Sequence, residues 1–444
     1  MARTDWYRLD NVGKFYAAEA GRARQTVFRF SATMADDVDP AALQAALDAT
    51  LAKFPSFNVC LRSGIFWHYL EPSGERPLVQ PEALPVCFGL HTGPKSVLFR
   101  VSWYANRINV EVSHMISDGR GTLRFFRTLV GYYVQERYGV PLANHAEDAE
   151  DAADRQAEDS FSRHYDATQA ASTPSERAFR LRGLRDFAQP TYLEYHLPVQ
   201  PVLDWARSMD VSVTSLIIAA VITAVRAQMT QRDRDRGRPI RLNVPVDLRQ
   251  FFNSPTMRNF FGLASVSYAP GEADEALEAI ARNVQTQIAE NCTSDAVQGR
   301  MNQMIALEKN SILRLAPLFL KDFALDLAAR ITNRDVTTTV SSLGRIALSE
   351  NAEPFVRSVS VLTSSSGINF VVCTFGDDLC IGVSTVYRRL DVVRTFCRLF
   401  SAHGIHGRID INHDSQEVDR RLHEAFLEDS LRELAERRAK EGTR

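Results

Sequence analysis

A change of hydrophobic period between residues 107 and 137 constrains the fold of this chain more than any other feature of the sequence. From Arg107 to Ser113 every second residue is apolar, which is the pattern of a half-buried strand. After Gly119 the spacing becomes helical. The apolar positions of this second part are Leu123, Phe126, Leu129 (or Val130) and Tyr133. The sequence therefore predicts a strand that passes through a short turn into a helix.

Two ionisable residues, His114 and Asp118, lie on this predicted turn, where a rigid scaffold holds side chains in the open. A histidine titrates near neutral pH and can take a proton from a hydroxyl or an amine. We expect Asp118 to brace the turn through a charge pair, and Gly119 to leave room where a ligand passes closely. A lone histidine at a strand end is more often structural than reactive. The assignment of a reactive role therefore needs support from other parts of the chain.

Two further segments supply that support. The segment RLNVPVDLRQFFNSPTMRNFFG occupies 241–262, and GINFVVCTFGDDLCIGVS occupies 367–384. Together with SHMISDGRG around His114, they resemble the superfamily of acyltransferases that includes chloramphenicol acetyltransferase, peptide-synthetase condensation domains, plant BAHD enzymes and alcohol acetyltransferases. The 241–262 segment resembles the bacterial alcohol-acetyltransferase-like branch, and the H-x-x-x-D-G motif lies upstream of it, as in the superfamily.

The order of predicted strands and helices indicates a mixed α/β sandwich. The resemblance implies more: two chloramphenicol-acetyltransferase-like α/β lobes that form a V, with a tunnel between them and His114 near its middle. We expect an N-terminal lobe over 1–165 and a C-terminal lobe over 185–444. Between Glu147 and Asp159 the chain is acidic and alanine-rich, so it can bury little and is interpreted as a linker rather than an acidic interaction segment.

The resemblance also implies a reaction. His114 would act as general base, taking the proton of an acceptor hydroxyl while its oxygen attacks the thioester of acetyl-CoA or another short acyl-CoA. Both substrates would meet directly, without a covalent acyl-enzyme. Asp118 would form a structural ion pair with Arg249 of the PVDLR segment. Catalytic roles are thus expected for the motif residues His114, Asp118 and Gly119, with acyl-CoA as cosubstrate and no permanently bound cofactor.

A tetrahedral intermediate needs a hydrogen-bond donor at its oxyanion. The late strands offer Asn369, Ser364 and Ser384, of which Asn369 is the first choice, although an ordinary strand role is at least as common for each. Asn259 and Gly262 are candidates for shaping the tunnel.

Three functional hypotheses stay open at this point, and the first is the acyl-CoA-dependent O-acyltransferase just described. Condensation domains usually carry two adjacent histidines, and here the first position is Ser113. This difference disfavours peptide condensation. The second hypothesis is nevertheless a condensation enzyme or an N-acyltransferase that takes its acyl group from an acyl carrier protein. The third alternative is a non-catalytic relative that binds an acyl ligand.

Composition excludes several other classes. The formal net charge of −2 gives no basic face for nucleic acid. The six cysteines form no C-x-x-C pair and indicate a reducing compartment, and no signal peptide is recognisable, so we expect a cytoplasmic protein. The longest apolar run, from Leu216 to Val225, is far shorter than the ~20 residues of a membrane span, so no integral membrane association is expected. His403 and His406 lack further metal ligands, and no metal site is expected.

Other elements follow from local signals. Asp39 and Pro40 predict the N-cap and first residue of a helix to about Lys53. The sequence also predicts a buried helix from 213 or 214 to 228 and a surface turn at QRDRDRGRP (231–239). A further helix is predicted over 298–330, where Pro317 should kink or divide it. Phe260 and Phe261 are predicted to take core positions on one face, and a polar helix is predicted over 417–440.

Overall fold

Two large β-sheets with helices on their faces make up the described part of the chain. The computed structural model describes residues 6–18, 26–93, 95–141, 153–166, 168, 177–269, 276–309, 317–318, 320–323, 325 and 335–411. Its strands are β1 (Tyr7–Arg8), β2 (Val27–Met34), β3 (Val59–Ser63), β4 (His68–Pro72), β5 (Gln80–Pro81), β6 (Phe99–Tyr104), β7 (Arg107–Ser113), β8 (Thr191–Pro198), β9 (Ile240–Asp247), β10 (Phe261–Tyr268), β11 (Thr338–Arg345), β12 (Val356–Thr363), β13 (Ile368–Phe375), β14 (Asp378–Thr385) and β15 (Arg408–Ile411). Its helices are α1 (Asn11–Ala18), α2 (Pro40–Lys53), α3 (Gly119–Tyr138), α4 (Ala153–Gln156), α5 (Ser160–Arg163), α6 (Val199–Ser208), α7 (Val213–Arg226), α8 (Gln231–Asp235), α9 (Leu277–Asn291), α10 (Ser294–Lys309) and α11 (Asp391–Ala402).

The first sheet has five strands in the order β12–β2–β7–β6–β5, and a small sheet β1–β4–β3 accompanies it. Strand β7 lies near its centre, antiparallel to both β2 and β6. Strand β12 comes from the late part of the chain yet pairs antiparallel with β2. The predicted division into 1–165 and 185–444 stays a prediction, but the C-terminal stretch contributes one strand to the first sheet.

The predicted strand–turn–helix is present as β7 followed by α3. The predicted apolar stripe of α3 is buried, since Leu123, Phe126, Leu129 and Tyr133 are each at most 4% exposed. The helix ends at Gly139, whose φ of 69° is a left-handed conformation that favours glycine. Helix α2 packs on α3, and it begins at Pro40 with Asp39 as N-cap, as predicted.

The second sheet has seven strands in the order β10–β9–β11–β13–β14–β8–β15. Helix α7 packs against it and against α9 and α11. From Leu216 to Ile222 every side chain of α7 is fully buried, which explains why the helix is apolar on nearly every side. The mixed α/β architecture with two sheets is the predicted fold class.

The two sheets approach closely where β12 crosses β14. A Cβ on Gly382 would lie 2.0 Å from the backbone oxygen of Val361, so only glycine permits this approach. Beside it, Arg107 of β7 is ion-paired with the buried Glu194 of β8, and Ser360 of β12 donates to the same carboxylate. The close backbone approach at Gly382 and the ion pair between Arg107 and Glu194 thus connect the first sheet to the second.

Two local predictions need correction. Part of the predicted acidic linker is packed, because Gln156 is 3% exposed and its backbone oxygen accepts from the backbone N–H of Met257 at 2.7 Å. The charged 231–239 segment lies mostly at the surface but contains α8, because Thr230 and Asp233 form a capping box. Phe260 and Phe261 contribute to one hydrophobic cluster, as predicted, but to different extents.

Phe260 precedes β10 and is fully buried, whereas Phe261 begins that strand and borders the cavity described below. The predicted helix 417–440 and residues 147–152 lie outside the described residues. Most positions around Pro317 also lie outside the described residues, and the predicted kink lies there with them.

Among the described residues, no single helix has the length and apolar character needed to cross a membrane. Helices α6 and α7 satisfy that criterion only as a pair, and they are bent by 84° with respect to each other.

Candidate active site

His114 lies directly after β7 and borders a large cavity between the two sheets. The cavity has a volume of about 2210 Å³. Its walls include Phe28 of the first sheet and Asn243 and Asn369 of the second. The half-buried imidazole can therefore contact a ligand that occupies this cavity.

Three aromatic rings surround the imidazole. Tyr16 stacks on it with a centroid distance of 4.9 Å and an interplanar angle of 21°, and Phe28 lies 4.5 Å away. Phe261 lies 6.1 Å away on another side. This apolar surrounding lowers the pKa of His114 by desolvation, against the opposing effects of a hydrogen bond with Asn259, the charge of Asp118 and the Ser117 carbonyl. His114 is therefore neutral at pH 7, the form that can accept a proton.

Asn259 fixes the side of the imidazole that faces the protein. Its Nδ2 donates to the backbone oxygen of His114 at 2.8 Å and to the carboxylate of Asp10 at 3.0 Å. Both partners are acceptors, so the amide oxygen of Asn259 must face His114 Nδ1, 3.3 Å away. This network assigns the proton to Nδ1 and the lone pair to Nε2.

Asp118 stabilises the His114 turn, and both of its carboxylate oxygens accept hydrogen bonds there. One carboxylate oxygen caps α3 by accepting from the backbone N–H of Gly121 at 2.8 Å. The other accepts from the backbone N–H of Phe260 at 2.8 Å and from Arg249 at 2.9 Å. Arg249 is the partner expected from the sequence. The carboxylate is 5% exposed and serves geometry rather than substrate contact.

Arg249 also holds the loop that carries Asn259. Its guanidinium donates to the backbone oxygens of Thr256 and Arg258 at 3.1 and 2.7 Å, and to Asp247 at 2.9 Å. A single side chain thus connects the end of β9, the His114 turn and the 256–260 loop.

Two glycines of the motif have different roles. Gly119 borders the cavity, and a Cβ there would meet only the end of the Leu343 side chain at 3.1 Å. At Gly121 a Cβ would lie 2.2 Å from the backbone oxygen of Met257 and 2.5 Å from Ser117 Oγ. The close approach of backbones therefore occurs at Gly121, which the sequence analysis did not single out.

The other predicted site residues separate into two groups. Asn369 and Ser364 border the cavity, and Ser364 Oγ accepts from the backbone N–H of Val27 at 3.0 Å. Ser384, Asn259 and Gly262 are buried and are not part of the cavity wall. Asn259 acts on the imidazole instead of shaping the passage.

In the described part of the chain, one group of side chains has metal-ligating geometry, formed by Glu194, His196 and Asp410. It does not border the cavity. The imidazole of His196 is already hydrogen-bonded to Asp378 at 2.7 Å and ion-paired with these carboxylates. His403 stacks on Trp205 at 4.2 Å and is not a member of the group.

Comparisons relate this chain to known proteins in sequence and in fold. The C-terminal domain family of phthiocerol/phthiodiolone dimycocerosyl transferases matches residues 200–384. A comparison with curated protein sequences gives no significant match. TRI101 of F. graminearum, solved with coenzyme A and deoxynivalenol, superposes with a TM-score of 0.61 at 12% identity, covering 91% of this chain and 100% of that one.

Two further structures share the fold. Polyketide synthase associated protein 5 from Mycobacterium tuberculosis has a TM-score of 0.58 at 13% identity, covering 88% of this chain and 96% of that one. The first condensation domain of the calcium-dependent antibiotic synthetase has a TM-score of 0.58 at 15% identity, covering 90% and 96%. The chain thus shares its fold with all three of these proteins over most of its length.

The shared fold confirms the prediction of two chloramphenicol-acetyltransferase-like lobes. Near the imidazole, the residues Asp10, Tyr16 and Phe28 were not predicted as site residues from the sequence. Nothing in the mixed aromatic and polar N-terminal segment marks Asp10, because its partner Asn259 is 249 residues away along the chain.

Proposed function

We propose that this protein is an acyl-CoA-dependent O-acyltransferase that transfers an acetyl or other short acyl group to an alcohol. The observation that carries the proposal is the state of His114. Its imidazole is neutral near pH 7, has Nδ1 engaged by Asn259, and borders a cavity walled by both sheets. Such a group is a general base with its lone pair on Nε2.

In the proposed reaction, Nε2 of His114 accepts the proton of the acceptor hydroxyl while the oxygen attacks the thioester carbonyl. The new carbon–oxygen bond gives a tetrahedral intermediate. Collapse of this intermediate breaks the carbon–sulfur bond, and the imidazolium returns the proton to the thiolate. The products are an ester and free coenzyme A. The protein need form no covalent bond, because the cavity holds both reactants together.

The charges around the cavity suit a donor that carries phosphates. Among the described residues, six basic side chains border it: Arg8, Lys14, Arg120, Arg180, Arg185 and Lys321. The four acidic ones are Asp118, Asp159, Asp247 and Asp322. Asp118 and Asp247 are already paired with Arg249, which is not among those six. The excess positive charge favours the phosphates of coenzyme A. For the oxyanion we propose Asn369, whose side chain can donate from the wall formed by β13.

The test is a thiol-release assay with acetyl-CoA and a panel of alcohols, using His114→Gln. Glutamine cannot act as a base, so kcat should fall about 10²–10⁴-fold. The control is His403→Gln, which changes an exposed histidine stacked on Trp205 and should leave kcat unchanged. A folded His114→Gln enzyme with wild-type turnover would refute the proposed mechanism.

A second candidate is transfer from an acyl carrier protein, in a condensation reaction or to an amine acceptor. The shared fold with a condensation domain over 90% of this chain favours it. Comparing acetyl-CoA with the same acyl group on a carrier protein separates the two by kcat/KM. Binding of coenzyme A without turnover by any donor would instead indicate the non-catalytic relative.

We also propose a cytoplasmic location, without bound nucleic acid and without integral membrane association. The support is the near-neutral net charge of −2 and the free state of all six cysteines.

A further inference from the structure

Asp10, just before α1, is a fully buried carboxylate that the proposed reaction does not use. It accepts from the backbone N–H of Gly13 at 2.7 Å. It also accepts from the backbone N–H and the side-chain amide of Asn259, at 3.2 and 3.0 Å. Its acceptor sites are therefore directed at one residue of the 256–260 loop and at the first turn of α1.

Burying this carboxylate is unfavourable, which argues that its position matters. Desolvation raises the pKa of Asp10 to about 6, although the hydrogen bonds from Gly13 and Asn259 and the charge of Arg258 counteract it. Helix α1 lies against the His114 turn so closely that a Cβ on Gly13 would be 2.8 Å from the backbone oxygen of Met115. Asp10 is thus held next to the turn by the packing of α1.

The carboxylate determines which way the Asn259 amide points. Because Asp10 and the His114 backbone oxygen both accept from Nδ2, rotation of the amide by 180° would place its oxygen against two acceptors. The observed orientation leaves the amide oxygen for His114 Nδ1. The tautomer of the imidazole therefore depends on the carboxylate of Asp10, which acts on His114 through Asn259.

We propose that Asp10 and Asn259 are positioning residues that hold His114 in the Nδ1–H tautomer, with the lone pair on Nε2 directed to the reaction. This inference rests on the proposed function, in which Nε2 is the base. Neither residue contacts the substrate, since neither borders the cavity. Their removal should lower kcat and leave the KM of the acyl donor nearly unchanged.

The first experiment measures the tautomer without any substrate, by long-range ¹⁵N–¹H correlation on protein labelled at histidine. The His114 signals are assigned by their loss in His114→Gln. The wild-type protein should show a protonated Nδ1 and an unprotonated Nε2. In Asp10→Asn the new amide can donate to Asn259, which reverses the Asn259 amide and shifts the population towards the Nε2–H tautomer. A wild-type Nε2–H tautomer, or a tautomer that ignores Asp10→Asn, would overturn the proposal.

The second experiment is kinetic. Asp10→Asn should lower kcat at least tenfold, with donor KM within twofold of wild type, and Asn259→Ala should do the same. Because both residues act through one path, the double variant should be little worse than either single variant. Multiplication of the two losses, or an unchanged kcat in both folded variants, would contradict the proposal.

Asp233→Asn is the matched control. Asp233 is also a buried carboxylate that accepts backbone and side-chain hydrogen bonds, but its partners are Thr230, the N-cap of α8, and Arg182, 51 residues earlier in the chain. It should leave the His114 tautomer and kcat unchanged. Asp10→Asn removes a charge that burial disfavours, so we expect the variant to fold. The tautomer and the turnover are read separately. If no donor supports turnover in the wild type but Asp10 still controls the tautomer, the proposed function fails and the positioning inference stands.

Discussion

Replacing Arg249 by alanine should destabilise the fold and slow the reaction without weakening substrate binding. The guanidinium is 16% exposed and donates to two carboxylates, those of Asp118 and Asp247, and to three backbone oxygens of the 256–260 loop. Its loss leaves the buried carboxylate of Asp118 without its countercharge.

The structure allows the size of this effect to be bounded. Removing one partner of a buried ion pair costs about 3–5 kcal/mol, because an uncompensated charge stays in the interior. Asp118 keeps two backbone donors, the N–H groups of Gly121 and Phe260. We therefore expect Arg249→Ala to cost about 3 kcal/mol, the lower end of that range.

The assay is urea denaturation followed by tryptophan fluorescence, with the shift in midpoint compared at constant m. The control is Arg62→Ala, which removes an ion pair of similar length, 2.6 Å to Glu71, whose two side chains are 36% and 39% exposed. An exposed pair contributes about 0–1 kcal/mol, so the control should shift the midpoint little. Equal shifts in the two variants would refute the assignment of Arg249 as a structural centre. So would an Arg249→Ala enzyme that raises donor KM strongly while kcat is maintained.

Two further predictions concern the same turn. Gly121→Ala should destabilise the protein by about 1–3 kcal/mol, because its Cβ would overlap the Met257 oxygen, whereas Gly119→Ala should be nearly neutral in the same denaturation assay. The reverse order would show that the backbone approach lies elsewhere. The pH profile of kcat/KM should rise with pH and level off, because a general base is inactive when protonated. Since burial lowers the pKa of His114, the midpoint should lie below the ordinary value of 6.5, and a midpoint above it would contradict the buried, neutral imidazole.

The sequence predicts those parts of the fold that depend on local periodicity. Strand β7, helix α3 and the capped start of α2 were predicted correctly because each is specified by neighbouring residues. The place of β12 in the first sheet was not predictable in this way, because alternation identifies a strand but not its partner. Helix α8 was missed for a different reason. The charged residues suggested a turn, but Thr230 and Asp233 supply a cap at the spacing that a helix start requires.

The site divides along the same line. His114, Asp118 and Arg249 belong to segments that resemble known motifs, and the structure places Asp118 against Arg249. Asp10 carries no such signal, since an aspartate near an N-terminus is ordinary until the fold brings it to Asn259. Asn259 was expected to shape the tunnel but forms a hydrogen bond with the imidazole. The sequence could not predict this role, because only the three-dimensional arrangement shows which neighbours of Asn259 are donors and which are acceptors.

The 256–260 loop explains why the H-x-x-x-D-G segment and the 241–262 segment act as one unit. The loop is bound by the His114 turn through Ser117, whose hydroxyl donates to the Met257 oxygen at 2.6 Å, and through Asp118, which accepts from the Phe260 N–H. Arg249 and Asp10 hold it from two other directions. The two carboxylates therefore have different roles. Asp118 holds the backbone of the loop, and Asp10 orients the side chain of Asn259, which contacts the imidazole. In the proposed mechanism, a substitution in this loop would disable His114 without touching either substrate, since the position and the protonation of the imidazole are both determined there.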